Sequence, residues 1–181
     1  MKAALSKAIL RLMGWKIGPT LENPPKCVLC VAPHTSNWDF IIGKLTYTAL
    51  GRDVQFLIKK EWFTFPFNLY FSWVGGIPVD RNKRTSVTQQ MIDEFDKRER
   101  MHLAITPEGT RKAVSEWKKG FYHIAKGAKV PILLLYLDFK RKEAGVKEVF
   151  YPTGIYKNDI QHIREQYKGF EGRNPEQFVH I

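Results

Sequence analysis

Apolar and polar positions along this chain fall into two alternating patterns. Residues 26–32, 54–58, 101–106 and 130–137 are short, nearly unbroken apolar runs, as expected of strands covered on both faces. Residues 146–151 read as one more strand, and Gly75-Gly76-Ile77-Pro78-Val79-Asp80-Arg81 as a short strand or turn. Between these runs apolar residues recur three and four apart, which predicts helices over 38–49, 86–98, 117–126 and 159–167, several of them stopped by a glycine. Strands alternating with helices predict an α/β fold: a single domain with a mixed, mostly parallel sheet flanked by helices.

Two segments do not fit that alternation. Residues 1–16 carry Leu5, Ala8, Ile9, Leu12 and Met13 at helical spacing, with Lys2, Lys7, Arg11 and Lys16 among them. This is a basic amphipathic helix suited either to a membrane surface or to the protein's own core. Gly18-Pro19 and Asn23-Pro24-Pro25 then form a connector, so residues 1–25 are set apart from a main domain over 26–181. Residues 62–73 hold seven aromatic side chains around Pro66. They predict a short core-forming helix or, in a functional reading, a greasy wall for an acyl chain or a bilayer-facing patch.

Composition narrows the class. The 181 residues are 44% hydrophobic and 13% aromatic, which excludes a disordered chain. Twenty-nine Lys and Arg against eighteen Asp and Glu leave a net charge of +11, which favours an anionic partner: nucleic acid, anionic headgroups or an acidic carrier protein. The basic residues form no dense run and no nucleic-acid-binding signature is present, so no nucleic acid partner is expected. No run reaches the ~18–20 apolar residues of a membrane span, and the N-terminus does not read as a signal peptide, which predicts a soluble or peripheral protein. Cys27 and Cys30 sit among Val and Leu and read as buried strand cysteines, with neither a metal site nor a disulfide expected.

Candidate chemistry collects where strands end. The run 26–32 delivers His34, and Asp39 follows five residues later. In a continuous helix that spacing is about 500°, so the two side chains would diverge. They meet if His34 precedes the helix and Ser36 or Asn37 caps it, giving a His–Asp dyad with no Ser or Cys nucleophile beside it. Lys59-Lys60, Asp80-Arg81 and Pro107-Glu108-Gly109-Thr110-Arg111 end three further runs. In open α/β sheets ligands bind beyond the carboxyl ends of strands. Arg81 and Arg111 suit bidentate phosphate binding, Lys60 adds a point charge, and Gly109 permits a tight turn.

At these residues the chain resembles the glycerolipid acyltransferases typified by 1-acylglycerol-3-phosphate acyltransferase. The family's HxxxxD block matches Pro33-His34-Thr35-Ser36-Asn37-Trp38-Asp39, and its G-x-I-x-x-D-R block matches Gly75 to Arg81. Its F-P-E-G-T-R-S block matches Thr106-Pro107-Glu108-Gly109-Thr110-Arg111-Lys112, with Thr for Phe and Lys for Ser. Its V-P-I-x-P-V block matches Val130 to Leu135 without the second proline. Lys59-Lys60-Glu61 and Trp117-Lys118-Lys119-Gly120 also look like family features.

The resemblance covers about residues 26–136. It implies that 26–181 is an acyltransferase domain moving a fatty acyl chain from acyl-CoA or acyl carrier protein to the hydroxyl of a lysophospholipid, in phospholipid biosynthesis. It implies His34 and Asp39 as catalytic residues, and Lys60, Arg81, Glu108, Gly109, Thr110 and Arg111 as substrate-binding residues. No cofactor is implied beyond the thioester co-substrate. A peripheral place at the cytoplasmic face of the cell membrane, on an anionic surface, follows as an expectation. Transfer to another lyso-lipid, such as a lyso-aminolipid, and hydrolysis of the thioester are the competing reactions.

Overall fold

The computed structural model describes residues 1–80 and 85–179. The apolar runs become β2 (Lys26–Ala32), β3 (Gln55–Lys59), β4 (Gly76–Val79), β5 (Met101–Ile105), β6 (Ile132–Asp138) and β7 (Glu143–Phe150). The short β1 (Lys16–Ile17) precedes them, and the sheet order is β1-β7-β6-β2-β5-β3-β4. From β6 to β4 all neighbours are parallel, whereas β7 runs antiparallel to β6 and carries β1 parallel to itself. The expected mixed, mostly parallel sheet is therefore present, with β2 at its centre.

Helices α1 (Lys2–Leu12) and α2 (Trp38–Ala49) cover one face. They enclose a core of Leu10, Trp15, Ile42 and Tyr47 against Leu29, Leu133 and Leu135 of the sheet. On the other face α4 (Val87–Lys97), α5 (Gly120–Gly127) and α6 (Tyr156–Glu165) bury Met91, Phe95, Phe121 and Ile163 against Val28, Cys30, Leu103 and Leu134. Alternate residues of β2 thus enter opposite cores, the period-two signature of a strand. Cys27 and Cys30 fall on opposite faces for the same reason. Burial pushes the Cys27 thiol up to about 12 and that of Cys30 higher still, so both are inert packing residues.

The structure departs from the sequence expectations in several places, among them the last helix, which starts at Tyr156 and ends at Glu165 instead of spanning 159–167. Helix α1 stops at Leu12 instead of Lys16, because Gly14 takes a left-handed conformation (φ +76°) and Lys16–Ile17 is recruited as an edge strand. Residues 117–119 stay outside α5 although Trp117 is buried. Strand β7 starts at Glu143, three residues early, because the preceding turn sets its register on β6. Finally, α3 (Phe67–Trp73) buries none of its residues. The short core helix expected there is an exposed one, with Phe65 81% and Trp73 72% accessible. Among the described residues no helix is long and apolar enough to cross a membrane.

Candidate active site

Strand β2 ends at Ala32, and a cis Ala32–Pro33 peptide turns the chain so that His34 lies just beyond the strand's carboxyl end. Asp39 stands in the first turn of α2 and is buried. Its Oδ2 receives the Thr35 and Ser36 backbone N–H groups, each at 2.7 Å, and lies 3.1 Å from His34 Nδ1. Its Oδ1 accepts from the Ser36 hydroxyl at 2.7 Å. The expected dyad therefore forms, with His34 before the helix. The expected cap does not: Asn37, at the helix start, makes no side-chain cap, and Asp39 reaches back to satisfy the loop's donors instead. With Asp39 surrounded by donors, the Nδ1–H tautomer of His34 completes its shell and leaves Nε2 free to take a proton. The carboxylate also lies at the positive end of α2.

The other strand-end clusters gather at the same edge. Lys59 closes β3, and Lys60 pairs with Asp80, just past β4, at 3.4 Å. Arg81 lies outside the described residues. Past β5 the chain turns at Gly109, whose N–H bonds to the Thr106 carbonyl (3.1 Å) and whose φ is +65°. The left-handed backbone there favours glycine, whereas the Lys118 side-chain end that a Cβ would meet at 2.6 Å is flexible enough to move aside. Arg111 is exposed and donates to the Asn37 carboxamide oxygen, reaching across to the His34 loop. Thr110 is half-buried, its hydroxyl 3.4 Å from the Lys112 N–H.

Glu108 differs from expectation. It is 4% exposed, and both carboxyl oxygens face the His34 backbone N–H, at 2.9 and 3.2 Å. It braces the loop that carries His34 and is not on the cavity wall. Burial raises its pKa to about 8; the His34 N–H pulls down and the nearby Asp39 pushes up.

A cavity of about 600 Å³ opens beside His34 and Asp39. Its wall is mostly apolar, with Leu29, Val31, Phe40, Tyr47, Phe56 and Leu135 on the α2 side, and Phe121 and Ile124 of α5 also contributing. Lys44 lines it as well, beside the Phe56 ring and donating to the Val74 carbonyl, and burial pulls that amine below the usual lysine range. The site thus joins a histidine held by a buried carboxylate, together with lysine cations, to a mostly apolar compartment of ligand size. Ser36, Asn37 and Lys118 join the site without being among the expected site residues, although Lys118 lies in the Trp-Lys-Lys-Gly family feature. Among the described residues no three His, Cys, Asp or Glu side chains converge as a metal site.

Comparison with known proteins agrees with this construction. A 1-acyl-sn-glycerol-3-phosphate acyltransferase of Saccharomyces cerevisiae is 30% identical over 125 residues, 60% of this chain and 37% of that protein. The chain therefore spans little more than a third of the length of this curated relative. The crystal structure of the 1-acyl-sn-glycerophosphate (LPA) acyltransferase PlsC from Thermotoga maritima superposes with a TM-score of 0.59, covering 91% of this chain and 74% of that one. At 18% identity the likeness speaks for the fold. The family model described as Acyltransferase matches residues 20–137, which run from before β2 through β6 and include every one of the strand-end clusters. On that match, the chain belongs to the Acyltransferase family.

Proposed function

We propose that this protein transfers a fatty acyl group from an acyl thioester, acyl-CoA or acyl carrier protein, to the free hydroxyl of a lysophospholipid such as 1-acylglycerol-3-phosphate. The observation that carries this reading is the His34–Asp39 pair, 3.1 Å apart at the mouth of an apolar cavity of about 600 Å³, in a member of the Acyltransferase family. His34 Nε2 takes the proton of the acceptor hydroxyl as its oxygen attacks the thioester carbonyl carbon. Asp39 holds Nδ1–H and stabilises the imidazolium that forms. Collapse of the tetrahedral intermediate breaks the C–S bond, and the imidazolium returns its proton to the departing thiolate. No acyl-enzyme is required, because a thioester already has a good leaving group.

Arg111 and Lys60, with Arg81, bind substrate phosphate, and Gly109 and Thr110 shape the turn that presents Arg111. Glu108 contributes by fixing the His34 backbone. The apolar wall takes the acyl chain. The exposed aromatics of residues 62–73 and the net charge of +11 support a peripheral position on an anionic membrane, with the cytoplasmic face as the proposed side.

The test is a panel of lyso-lipid acceptors offered with acyl-CoA and with acyl carrier protein, read by product mass and by free thiol. Acceptor-dependent thiol release with a matching acylated lipid is the expected result. Thiol release at the same rate without acceptor would make the protein a thioesterase, and no thioester consumption would overturn the reading.

A further inference from the structure

The chain after α6 crosses back over the sheet edge and closes on the His34 loop. Phe170 stacks on Tyr136 of β6 with centroids 4.2 Å apart, and the Glu171 carbonyl accepts the Phe139 N–H at 2.9 Å. Phe178 is buried in the core, so this strap is anchored on both sides of its middle. Between the anchors Asn174 grips one residue, Thr35. Its backbone N–H donates to Thr35 Oγ1 at 3.2 Å, and its Nδ2 to the Thr35 carbonyl at 2.9 Å. Gly172 packs so closely there that a Cβ would lie 2.6 Å from Thr35 Oγ1. Gln177, with its amide nitrogen turned inward, donates to the Thr35 and Arg111 carbonyls.

Thr35 is buried, and the peptide it shares with Ser36 has two functional ends. The Ser36 N–H, like that of Thr35, points at Asp39 Oδ2. The carbonyl end is held by Asn174, with Gln177 as a second, longer donor. We propose that Asn174 is a positioning residue for the reaction: by clamping the Thr35 carbonyl it fixes the two N–H groups that aim Asp39 at His34. Its donor also polarises the peptide, which strengthens the Ser36 N–H as a donor to Asp39. The strap lies beyond the family-matched residues 20–137 and carries none of the sequence blocks, so this support for the loop comes from outside the matched region, in addition to the brace from Glu108. This inference rests on the reading of His34 as the base.

Asn174→Ala, Asn174→Asp and Asn174→Gln separate the roles. If the donated bond matters, Ala lowers kcat about 10-fold with KM for both substrates within about twofold, since misplacement and not substrate contact is at stake. The isosteric Asp keeps the shape but sets an acceptor against a carbonyl, so it falls at least as far as Ala, and Gln recovers part of the loss. Amide hydrogen exchange across residues 33–39 accelerates in Ala and Asp. Gly172→Ala, which pushes the strap outward, reproduces both changes.

Unchanged kcat and exchange in Asn174→Ala would overturn the proposal. So would an Asp variant closer to wild type than Ala, or activity losses that track the fraction unfolded. A wild-type protein that consumes no thioester would instead sink the acyltransferase reading, while the exchange measurement would still decide whether Asn174 orders the loop.

Discussion

Asp39 illustrates how much one side chain in this fold is asked to do. It accepts from two loop N–H groups and a hydroxyl in addition to its partner His34, so it organises the turn as well as the imidazole. The two members of the pair should therefore fail differently. His34→Ala should lower turnover by about 10²–10⁴-fold, the usual worth of a general base, with an unchanged unfolding midpoint. Asp39→Asn turns an acceptor into a partial donor facing the Thr35 and Ser36 N–H groups. It should lose turnover and also destabilise the fold by about 1–3 kcal/mol, measurable by denaturant unfolding. Equal stability in the two variants would deny Asp39 its organising role.

Glu108 makes a prediction with a sign. Its folded pKa, about 8, lies above its ordinary 4.5, so between those values the folded chain keeps a proton that the unfolded chain has released. Its contribution is complete below about pH 4.5 and is lost as pH rises through 8. Glu108→Gln keeps an acceptor for the His34 N–H and removes the titration. Stability measured by denaturant midpoint from pH 5 to 9 should decline less in Glu108→Gln than in wild type, and parallel curves would refute this. The identities of His34, Asp39 and Glu108 were all legible in the sequence as block residues. What Glu108 touches was not, because its partner is a main-chain N–H 74 positions away and main-chain donors leave no mark on residue identity.

At the scale of elements, the middle of the sheet was legible because β2 and β6 are runs of residues buried on both faces, and the parallel order follows from the helices between strands. The first helix was legible as amphipathic but not as to which side faces in. Its core-facing residues are Ser6 and Leu10, while Leu5 and Leu12 are 63% and 88% exposed. Apolar residues cover so much of this helix that spacing admits two stripes, and packing against α2 chose the one that includes Ser6. Strand β1 is only two residues long, too short for any period to show. Leu10→Ala should cost about 2–5 kcal/mol by opening a cavity against the α2 layer, whereas Leu5→Ala and Leu12→Ala should change stability little. Thermal or denaturant unfolding of the three variants decides it; comparable losses at Leu5 would mean that the outer stripe, too, is packed.

For the whole molecule, the start of α1 and the uncovered aromatics of α3 meet, and exposed Leu5 and Leu12 add apolar surface along α1. Lys2 of α1 lies over the Trp73 ring of α3, and Lys44 of α2 reaches the Val74 carbonyl that follows it. Phe40, itself exposed, carries that surface to the cavity wall. Moving a sixteen-carbon chain through water would cost about 12 kcal/mol at ~0.8 kcal/mol per CH₂, so a cavity that takes such chains is best opened against the bilayer. The +11 charge supplies a second attraction wherever the bilayer is anionic.

The two attractions can be separated. Vesicles with anionic lipid should pull the protein down on sedimentation more strongly than neutral ones, and salt should erase that difference. Replacing Leu12, Phe65 and Trp73 with Ser should weaken binding to both vesicle types in proportion, because it removes the apolar share alone. Deleting α1 outright would be a poor substitute, since Leu10 and the adjacent Trp15 belong to the core and their loss would confound binding with unfolding. If the triple variant binds neutral and anionic vesicles as wild type does, the aromatic surface faces something other than lipid, and the proposed entry of an acyl chain past that surface is refuted.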